Sequence, residues 1–396
     1  MQSITIVGGG LAGLVAATRA AELGAAVNLF EADGRLGGRG RSTAPPYVAH
    51  DGAHVIYADG RMWTWLAQRD LLGPYRRLSA SDLAATFVRH HGRRRRVPPM
   101  SLVRLLARRD RTAPVDRDFR SWVADRHGAE TARLAANLAG VATFDADAGR
   151  LSAAFVWERL VRVFTQVPPQ VRYLERGWSG LIDRLADRAL RLGVRMHTDA
   201  RVDEVPPTPT VVATSLTAAR RLLDDATLCW ESGSTVLLDV AVDRRHGDAF
   251  VVSDLDEAGW FEDFSRPSPA LAPAGQAMVQ AQMPIRPGER RDDVVRRLEA
   301  LVELAMPRFR ERTRWRRVAT AHGRTGALDL PGRTWRDRPA IKRGDGVFLA
   351  GDAVAAPGLL GEVAWCSGVW AAEAAVRAAT VVTGRGTTLT AAGGGG

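Results

Sequence analysis

The chain has 396 residues, 46% of them hydrophobic, and a formal net charge of +11. This size and composition predict a globular protein of two or three structural units, and no apolar run reaches the roughly 18 residues of a membrane span. Cys229 and Cys366 lie far apart and predict no metal cluster. Every basic residue except Lys342 is arginine, a bias typical of a GC-rich genome, so the charge alone predicts no nucleic-acid partner.

The first patterned stretch is a β-branched run followed by glycines at the spacing G-x-G-x-x-G. Gly8, Gly10 and Gly13 occupy the glycine positions, a helix is predicted at 14–23, and a second apolar run ends at Glu31. A dinucleotide fold needs this order, because these glycines permit the turn, the approach of a pyrophosphate and the packing of the helix. The helix N-terminus would face the phosphates, and Glu31 would accept hydrogen bonds from a ribose. A glycine-rich turn is the alternative for the motif alone.

The residues after Glu31 extend this pattern with Gly34-Arg35-Leu36-Gly37-Gly38-Arg39. The stretch from Ile4 to Ser42 resembles the FAD-binding start of the flavin-containing amine oxidase superfamily, which includes amine oxidases, protoporphyrinogen oxidase and phytoene desaturases. The resemblance implies FAD, with its diphosphate against the G-G-R segment and the arginine helping to neutralise it. Plain NAD dehydrogenases lack this extension, and an NAD-binding protein is the alternative. The cofactor-binding residues implied here are Gly8, Gly10, Leu11, Ala12, Gly13, Glu31, Ala32, Gly37, Gly38 and Arg39.

The segment 47–56 alternates in character and carries a glycine at a bend. It resembles a D-x-G-x-H-like stretch that runs close to the flavin in the same superfamily, and Asp51, Gly52 and His54 match that pattern. The resemblance therefore implies cofactor contacts for Gly52, Ala53 and His54. For His54, a hydrogen-bonded structural histidine is the alternative.

Residues 58–175 leave the nucleotide pattern. Their periodicity predicts helices at 61–72, 119–138 and 151–167. The last of these helices carries an aromatic set, which fits either a core or the wall of a substrate pocket.

A basic region, 89–111, lies within that block. It predicts a basic hairpin or loop at 90–99 and then an amphipathic helix at 101–109, with leucines on one face and arginines around them. Such a helix fits a membrane surface or an ordinary solvated face over a core. Peripheral membrane contact is therefore an open alternative.

The nucleotide pattern returns after residue 175. The stretch 173–181 resembles the superfamily's glycine turn before a helix, which we predict at 182–192, and further strands are predicted at 194–197 and 210–214. Residues 200–205 match the family strand whose main chain contacts the adenine. The resemblance thus implies a main-chain cofactor contact at Val202.

A second block outside the nucleotide pattern follows. Its periodicity predicts strands at 235–242, 276–283 and 314–321, and a helix at 292–305. The segment Thr320-Ala321-His322-Gly323-Arg324 lies near the place where the resemblance implies a charged residue beside the flavin. His322 and Arg324 are therefore candidate catalytic residues, with a turn between domains as the alternative.

The last 60 residues return to the cofactor. A buried strand, 346–350, ends in Gly351 and Asp352, and a helix is predicted at 369–382. The resemblance implies that Asp352 contacts the ribityl or diphosphate part of FAD and that this helix directs its N-terminus at the flavin, where its dipole favours the anion of reduced flavin. It implies cofactor contacts for Gly351, Asp352, Gly361 and Val363, and it makes Trp365 a candidate catalytic residue. Cys366 lies outside the covalent-attachment motif, so we expect non-covalent FAD.

The predicted fold class is α/β, with a Rossmann-like FAD-binding domain of a GR2-type flavoprotein and an inserted α+β substrate domain. We expect the FAD-binding domain at 1–57, 176–233 and 325–385, the substrate domain at 58–175 and 234–324, and a disordered tail at 386–396. The stretches that meet at one cofactor thus come from both ends of the chain.

The resemblance implies an enzyme that passes a hydride from a substrate C–H bond to flavin N5. Many amine oxidases of the superfamily place a lysine near N5, whereas Lys342 lies outside that position, and the C-terminal run offers Trp365 without a tyrosine partner. These departures favour an FAD-dependent dehydrogenase or desaturase acting on an apolar small molecule, such as an isoprenoid or secondary metabolite. The alternatives are an amine or porphyrinogen oxidase that uses O2, and a non-redox FAD-dependent isomerase or binding protein.

The sequence leaves the substrate, the electron acceptor, the catalytic acid or base and the oligomeric state open. Its N-terminal apolar run belongs to the nucleotide pattern and is not a signal peptide, so we expect a cytoplasmic protein. We expect no metal and no nucleic-acid partner.

Overall fold

The computed structural model describes residues 2–52, 55–108, 112–344 and 346–388, with side chains to residue 380. The chain forms two compact units. The first, here the nucleotide unit, comprises 1–41, 179–230 and the chain from 335 onward. The second, here the sheet unit, comprises 42–178 and 231–334.

The elements have the following bounds in chain order. The strands are β1 (Ser3–Val7), β2 (Ala26–Phe30), β3 (Val55–Tyr57), β4 (Tyr75–Arg76), β5 (Thr86–His90), β6 (Arg93–Arg95), β7 (Val171–Leu174), β8 (Arg195–His197), β9 (Thr210–Val212), β10 (Ser232–Asp243), β11 (Val251–Asp254), β12 (Trp260–Asp263), β13 (Gln276–Pro284), β14 (Thr313–Ala327) and β15 (Val347–Leu349). The helices are α1 (Leu11–Glu22), α2 (Arg61–Ala67), α3 (Ala80–Ala84), α4 (Met100–Leu106), α5 (Phe119–His127), α6 (Ala129–Leu138), α7 (Gly140–Thr143), α8 (Ala153–Phe164), α9 (Gly177–Arg191), α10 (Leu216–Leu222), α11 (Arg291–Ala305), α12 (Phe309–Arg312) and α13 (Gly361–Thr388).

The nucleotide unit contains a five-stranded parallel sheet in the order β15-β9-β1-β2-β8. Read from β8, its strands follow the order 3-2-1-4-5 along the chain, which is that of a doubly wound nucleotide-binding sheet. The central strand β1 is buried from Ile4 to Val7, as expected where helices cover both faces of such a sheet. This architecture confirms the predicted Rossmann-like α/β fold.

Helices α1 and α13, which are remote in sequence, pack together in this unit. The contact is close at Gly368, where an added Cβ would lie 2.6 Å from the carbonyl oxygen of Ala12. A glycine in the middle of α13 therefore permits the backbone of the C-terminal helix to approach the first turn of α1.

The sheet unit contains a seven-stranded sheet in the order β14-β10-β13-β12-β11-β5-β6. Neighbours are antiparallel except for the parallel pair β5 and β11. One face is apolar and packs on α11, with Val236, Leu238 and Val240 among its buried residues. A separate helical core combines α4, α5, α6 and α8, and a small sheet pairs β3 and β4 with β7.

The boundaries between the units differ from the predicted ones. Residues 42–57 belong to the sheet unit, because β3 pairs with β7 there. Residues 325–334 also belong to it, since β14 continues to Ala327.

Several predicted elements need correction. The helix expected at 119–138 is two helices, because Gly128 adopts a φ of 81° between α5 and α6. The segment 200–205 is irregular rather than a strand. Helix α13 includes residues 386–388, which were expected to be disordered, whereas the rest of the predicted tail lies outside the described residues. No helix in the described part of the chain is long and apolar enough to cross a membrane.

Candidate functional site

The glycine turn between β1 and α1 has one open position and two crowded ones. Gly8 has a φ of 105°, and a Cβ on Gly13 would lie 1.8 Å from the carbonyl oxygen of Gly8. The fold itself therefore requires glycine at these two positions. Gly10 differs, since its φ of −76° suits any residue and a Cβ there would meet nothing within 4 Å. The open space beside Gly10, at the N-terminus of α1, fits a ligand phosphate.

Glu31 is fixed by the backbone at the end of β2. Its Oε2 accepts a hydrogen bond from the amide of Gly9 at 2.7 Å, and its Oε1 accepts one from the amide of Asp33 at 3.0 Å. Each carboxylate oxygen keeps further acceptor capacity, so the side chain is oriented and can still receive ribose hydroxyls. The position and the anchoring of Glu31 fit the ribose role that the sequence predicts.

The second glycine turn lies directly against the first. The amide of Gly37 donates to the carbonyl oxygen of Gly9 at 2.8 Å, and Gly10 and Gly37 form a parallel bridge. Gly37 and Gly38 have φ values of 115° and 52°, in the left-handed region that favours glycine. The G-G-R segment is thereby held beside Gly10, which is the arrangement a diphosphate cradle needs.

Arg39 joins this cradle to the C-terminal segment. Its Nη1 lies 2.6 Å from Oδ2 of Asp352, which follows β15. The charge of Asp352 raises the pKa of the Arg39 guanidinium, so Arg39 remains a cation. Because Asp352 already balances this charge, we expect the backbone amides to carry a large share of the contact with a diphosphate, with Arg39 as a directional donor.

Ser367 on α13 is a residue that the sequence analysis missed. Its fully buried hydroxyl accepts from the amide of Gly351 at 2.9 Å and lies within hydrogen-bond distance of the carbonyl oxygens of Gly351 and Ala364. It fixes the chain after β15 against α13, and so positions Asp352, which follows Gly351 in the sequence. A single serine within an apolar helix carries no local pattern that would have revealed this contact.

The other predicted residues of the nucleotide unit lie in different environments. Val363, Trp365 and Cys366 are buried on α13, whereas Gly361 is half-buried at the first position of that helix. Leu11 and Ala12 are buried in the first turn of α1, and Ala32 is exposed after β2. Val202 is half-buried in a loop, close in sequence to Ala200, whose amide donates to the carbonyl oxygen of Glu31 at 2.9 Å.

Other predicted residues belong to the sheet unit. Gly52 is half-buried in a bend, and Ala53 and His54 lie outside the described residues. His322 and Arg324 are exposed on β14. The pairing of β14 with β10 is irregular there, since Ser234 pairs with His322 and Ser232 with Ala327. The segment is thus a bulged stretch within one long strand, and the turn between domains considered as the alternative does not form.

A row of polar residues crosses the second face of the large sheet. Glu262 on β12 lies opposite Gln280 on β13, Gln280 lies opposite Asp239 on β10, and Asp239 lies opposite Arg317 on β14. Directly opposed residues point to the same face of a sheet, so these four side chains form one line. The sequence analysis missed this polar row, because its members come from four strands.

Asp239 is the buried centre of the row. It is fully buried; its Oδ1 accepts from Gln280 at 2.6 Å and its Oδ2 from the Nε of Arg317 at 2.8 Å. Burial raises the pKa of the Asp239 carboxyl to about 6, while the charge of Arg317 opposes that rise. Arg317 also pairs with Asp51 at 2.6 Å and donates to the carbonyl oxygen of His50 at 3.0 Å.

His50 is held under this cluster as a neutral side chain. Burial, followed by the charge of Arg317, lowers the pKa of its imidazole to about 4. A Cβ on Gly177, which has a φ of 60°, would lie 2.1 Å from the His50 ring. The packing of His50 therefore requires glycine at the first position of α9.

Glu262, at the other end of the row, has donors but no cation in the interactions described. The hydroxyl of Tyr173 lies 2.5 Å from its Oε1, and Nε1 of Trp260 donates to its Oε2 at 2.9 Å. Burial raises the pKa of the Glu262 carboxyl to about 7, although these two hydrogen bonds favour the ionised form. The site thus holds a carboxyl group that exchanges its proton near neutral pH.

We expect Glu262→Gln to gain stability relative to the wild type as the pH rises, because it lacks the Glu262 contribution to the pH dependence of the unfolding free energy. A folded-state pKa of about 7, above the ordinary 4.5, means that the contribution of Glu262 to stability falls as the pH rises from 4.5 to 7. This loss is at most on the order of 3 kcal/mol, and glutamine removes it. Urea unfolding at pH 5 and pH 8 measures the difference. The exposed Glu311→Gln should retain the wild-type slope, and an equal slope in Glu262→Gln would contradict a proton on Glu262.

Two family models match separate segments of the chain. A model described as an NAD(P)-binding Rossmann-like domain matches residues 6–69, and one described as flavin containing amine oxidoreductase matches residues 230–376. A search of curated proteins finds no significant match.

Solved structures resemble the chain over nearly its whole length. An oxidoreductase from Methanosarcina mazei has a TM-score of 0.74 at 15% identity, covering 94% of this chain and 100% of its own. Cyclohexylamine oxidase from Brevibacterium oxydans IH-35A has a TM-score of 0.71 at 16% identity, covering 95% and 99%. Reduced UDP-galactopyranose mutase has a TM-score of 0.67 at 14% identity, covering 97% and 96%. At these identities, the likeness establishes the fold.

Proposed function

We propose that this chain is an FAD-dependent oxidoreductase of the flavin-containing amine oxidase superfamily. It takes a hydride from a C–H bond of an apolar small molecule, as a dehydrogenase or desaturase. The superfamily includes enzymes that use oxygen and enzymes that use other acceptors.

The residues of the nucleotide unit fit the cofactor. The open space at Gly10 would receive the diphosphate, Glu31 the adenosine ribose, and Arg39 a phosphate oxygen. Bound FAD supplies the hydride acceptor, its flavin N5, and the protein supplies orientation and the exclusion of water. The Arg39–Asp352 pair helps to orient the cofactor, because it joins the two ends of the chain beside Gly10.

The observation that supports a dehydrogenase is the distribution of lysine. The resemblance implies that an oxidase carries a lysine near flavin N5, contributed by the substrate domain. The sheet unit, 42–178 and 231–334, contains no lysine in its sequence, and Lys342 is exposed before β15 in the nucleotide unit. A protein without that ammonium group lacks one device for promoting the reaction of reduced flavin with oxygen.

Aromatic pairs in the sheet unit support an apolar substrate. The rings of Phe164 and Trp260 lie 6.2 Å apart, and those of Tyr47 and Trp315 lie 6.0 Å apart, and all four side chains are half-buried. Half-buried aromatic rings offer apolar contact area that a hydrophobic ligand can complete. Phe164 belongs to the helix whose aromatic set fits, from the sequence, either a core or a pocket wall.

Reoxidation of the reduced protein tests the proposal. The purified FAD-loaded protein is reduced without oxygen and mixed with either air-saturated buffer or a soluble quinone. A dehydrogenase is expected to reoxidise faster with the quinone and to release little peroxide. Fast reoxidation by oxygen with stoichiometric peroxide would instead favour an amine or porphyrinogen oxidase.

A panel of substrates separates the remaining functions. We expect isoprenoids or other apolar molecules to bleach the flavin absorbance under anaerobic conditions, whereas primary amines should not. Conversion of a substrate without net bleaching, dependent on reduced flavin, would favour a non-redox isomerase. Within this assay, His322→Ala and Arg324→Ala test two of the three predicted catalytic residues. A role in hydride transfer requires slower bleaching with unchanged FAD content.

A further inference from the structure

The sheet unit carries an exposed surface that combines apolar and basic side chains around the connection from β6 to α4. No acidic residue occurs between Asp82 and Asp110, and this interval contains eight arginines. Val97 is 65% exposed and Met100 is 56% exposed, although both are apolar. The surface, here the basic-apolar patch, consists of Leu83, Arg93, Arg95, Val97, Met100 and Arg104.

The strand β6 separates its arginines into two groups. Arg94 points towards the body of the unit, where its guanidinium stacks on Phe87 and lies within reach of the carbonyl oxygens of Gly247 and Ala305. Successive side chains of a strand point to opposite faces, so Arg93 and Arg95 point away from that body. Both are exposed.

The same division continues in α4. Leu102 and Leu105 are buried in the helical core, whereas Met100 and Arg104 are exposed. Residues four apart lie on the same face of a helix, so Arg104 stands beside Met100. This short helix therefore presents an apolar and a basic side chain outward together, next to Val97.

A contact from Arg96 brings a third apolar residue to the patch. Its Nη1 donates to the carbonyl oxygen of Ala84 at 2.6 Å, at the end of α3. Leu83, the neighbour of Ala84, is 52% exposed. Three exposed apolar side chains thus lie in the same patch as the exposed arginines Arg93, Arg95 and Arg104.

We propose that the basic-apolar patch is a docking surface for an anionic lipid bilayer. Lipid phosphates and carboxylates complement the arginines, and Val97, Met100 and Leu83 can enter the acyl boundary while the cations stay at the headgroups. A nucleic acid would complement the charge but would leave the exposed aliphatic side chains without a partner. Binding of the patch to a membrane surface does not depend on which electron acceptor the enzyme uses.

Cosedimentation with vesicles tests the proposal on the FAD-loaded protein. Vesicles of phosphatidylcholine alone are compared with vesicles that also contain phosphatidylserine, at low and at high salt. We expect binding to the anionic vesicles only, weakened by salt, because the attraction is screened. Equal binding to both vesicle types, or none to either, would overturn the proposal.

Two double variants test the two components separately. Arg95→Gln with Arg104→Gln should weaken binding to the anionic vesicles about 25-fold, since each cation near the surface contributes about fivefold. Val97→Ser with Met100→Ser should remove the part of the binding that survives high salt. The matched control is Leu190→Ser with Arg191→Gln on α9, where Leu190 is 54% exposed, and it should bind as the wild type does.

The vesicle experiment also needs controls for folding and for binding to other polyanions. Flavin absorbance and circular dichroism report whether each variant is folded. Because the two variants replace different pairs of residues, the second can still be measured if the first fails to fold. Binding that neither patch variant alters would overturn the proposal. A competition with duplex DNA gives a further test. If DNA displaces the wild-type protein from the vesicles and also binds the Val97→Ser, Met100→Ser variant as tightly as the wild type, the patch is a general polyanion site and the proposal is overturned.

Discussion

Gly10→Ala is expected to weaken FAD binding by about 100-fold, or about 2.7 kcal/mol, while leaving the protein without FAD as stable as the wild type. The backbone at Gly10 accepts any residue, and the added Cβ meets no protein atom within 4 Å. The methyl group would instead occupy the space in which we place the diphosphate. Titration of the apoprotein with FAD measures the affinity, and thermal unfolding of the apoprotein measures the stability.

Gly13→Ala is the matched comparison, since it makes the same chemical change three residues later. Its Cβ would lie 1.8 Å from the carbonyl oxygen of Gly8, so the turn cannot keep its form. We expect this variant to lose stability without FAD as well as FAD affinity. Wild-type affinity in Gly10→Ala would show that the diphosphate lies elsewhere.

The contrast between Gly10 and Gly13 also shows which parts of the site can be predicted from a sequence. Gly8, Gly13 and Glu31 act within one strand–turn–helix–strand unit, so their spacing in the chain fixes their spacing in the fold. At Gly8 and Gly13 the fold itself requires glycine, because neither position has room for a side chain. A local pattern with a local cause can be recognised without a structure.

The polar row had no such pattern. Asp239 and Arg317 are 78 positions apart and meet only because β10 pairs with β14 in one register. A shift of one residue would turn either side chain to the opposite face, and composition does not specify that register. Each residue alone is an ordinary polar position in an alternating strand. Long-range pairing therefore limited what the sequence could reveal about the sheet unit.

The secondary-structure predictions that were wrong also failed where the sequence pattern does not specify the backbone conformation. Residues 200–205 resemble a family strand, yet this segment is irregular after the amide of Ala200 donates to the carbonyl oxygen of Glu31. Helical periodicity continued across Gly128, where the backbone conformation separates α5 from α6. Periodicity records which residues are buried, whereas an element ends where the backbone has a better partner or another conformation.

The second large effect is expected for Arg317→Ala, which should lower the free energy of unfolding by about 3–5 kcal/mol at pH 8. Asp239 is fully buried and Arg317 supplies the cation beside it, so the truncated variant would hold an uncompensated buried carboxylate. Urea unfolding measures the loss. The control is Arg314→Ala on the same strand, because its pair with Asp243 is exposed and should contribute less than about 1 kcal/mol.

The pH dependence and a second substitution give this prediction its sharpest test. The pKa of Asp239 is about 6 in the folded protein, above its ordinary 3.8, and removal of Arg317 should raise it further. Asp239 then carries a proton at pH 5, so the loss caused by Arg317→Ala should shrink as the pH falls from 8 to 5. Asp239→Asn should restore much of the stability at pH 8, since an amide needs no cation. A loss that is independent of pH and is not restored by Asp239→Asn would mean that Arg317 acts through packing and through its hydrogen bond to the His50 carbonyl oxygen.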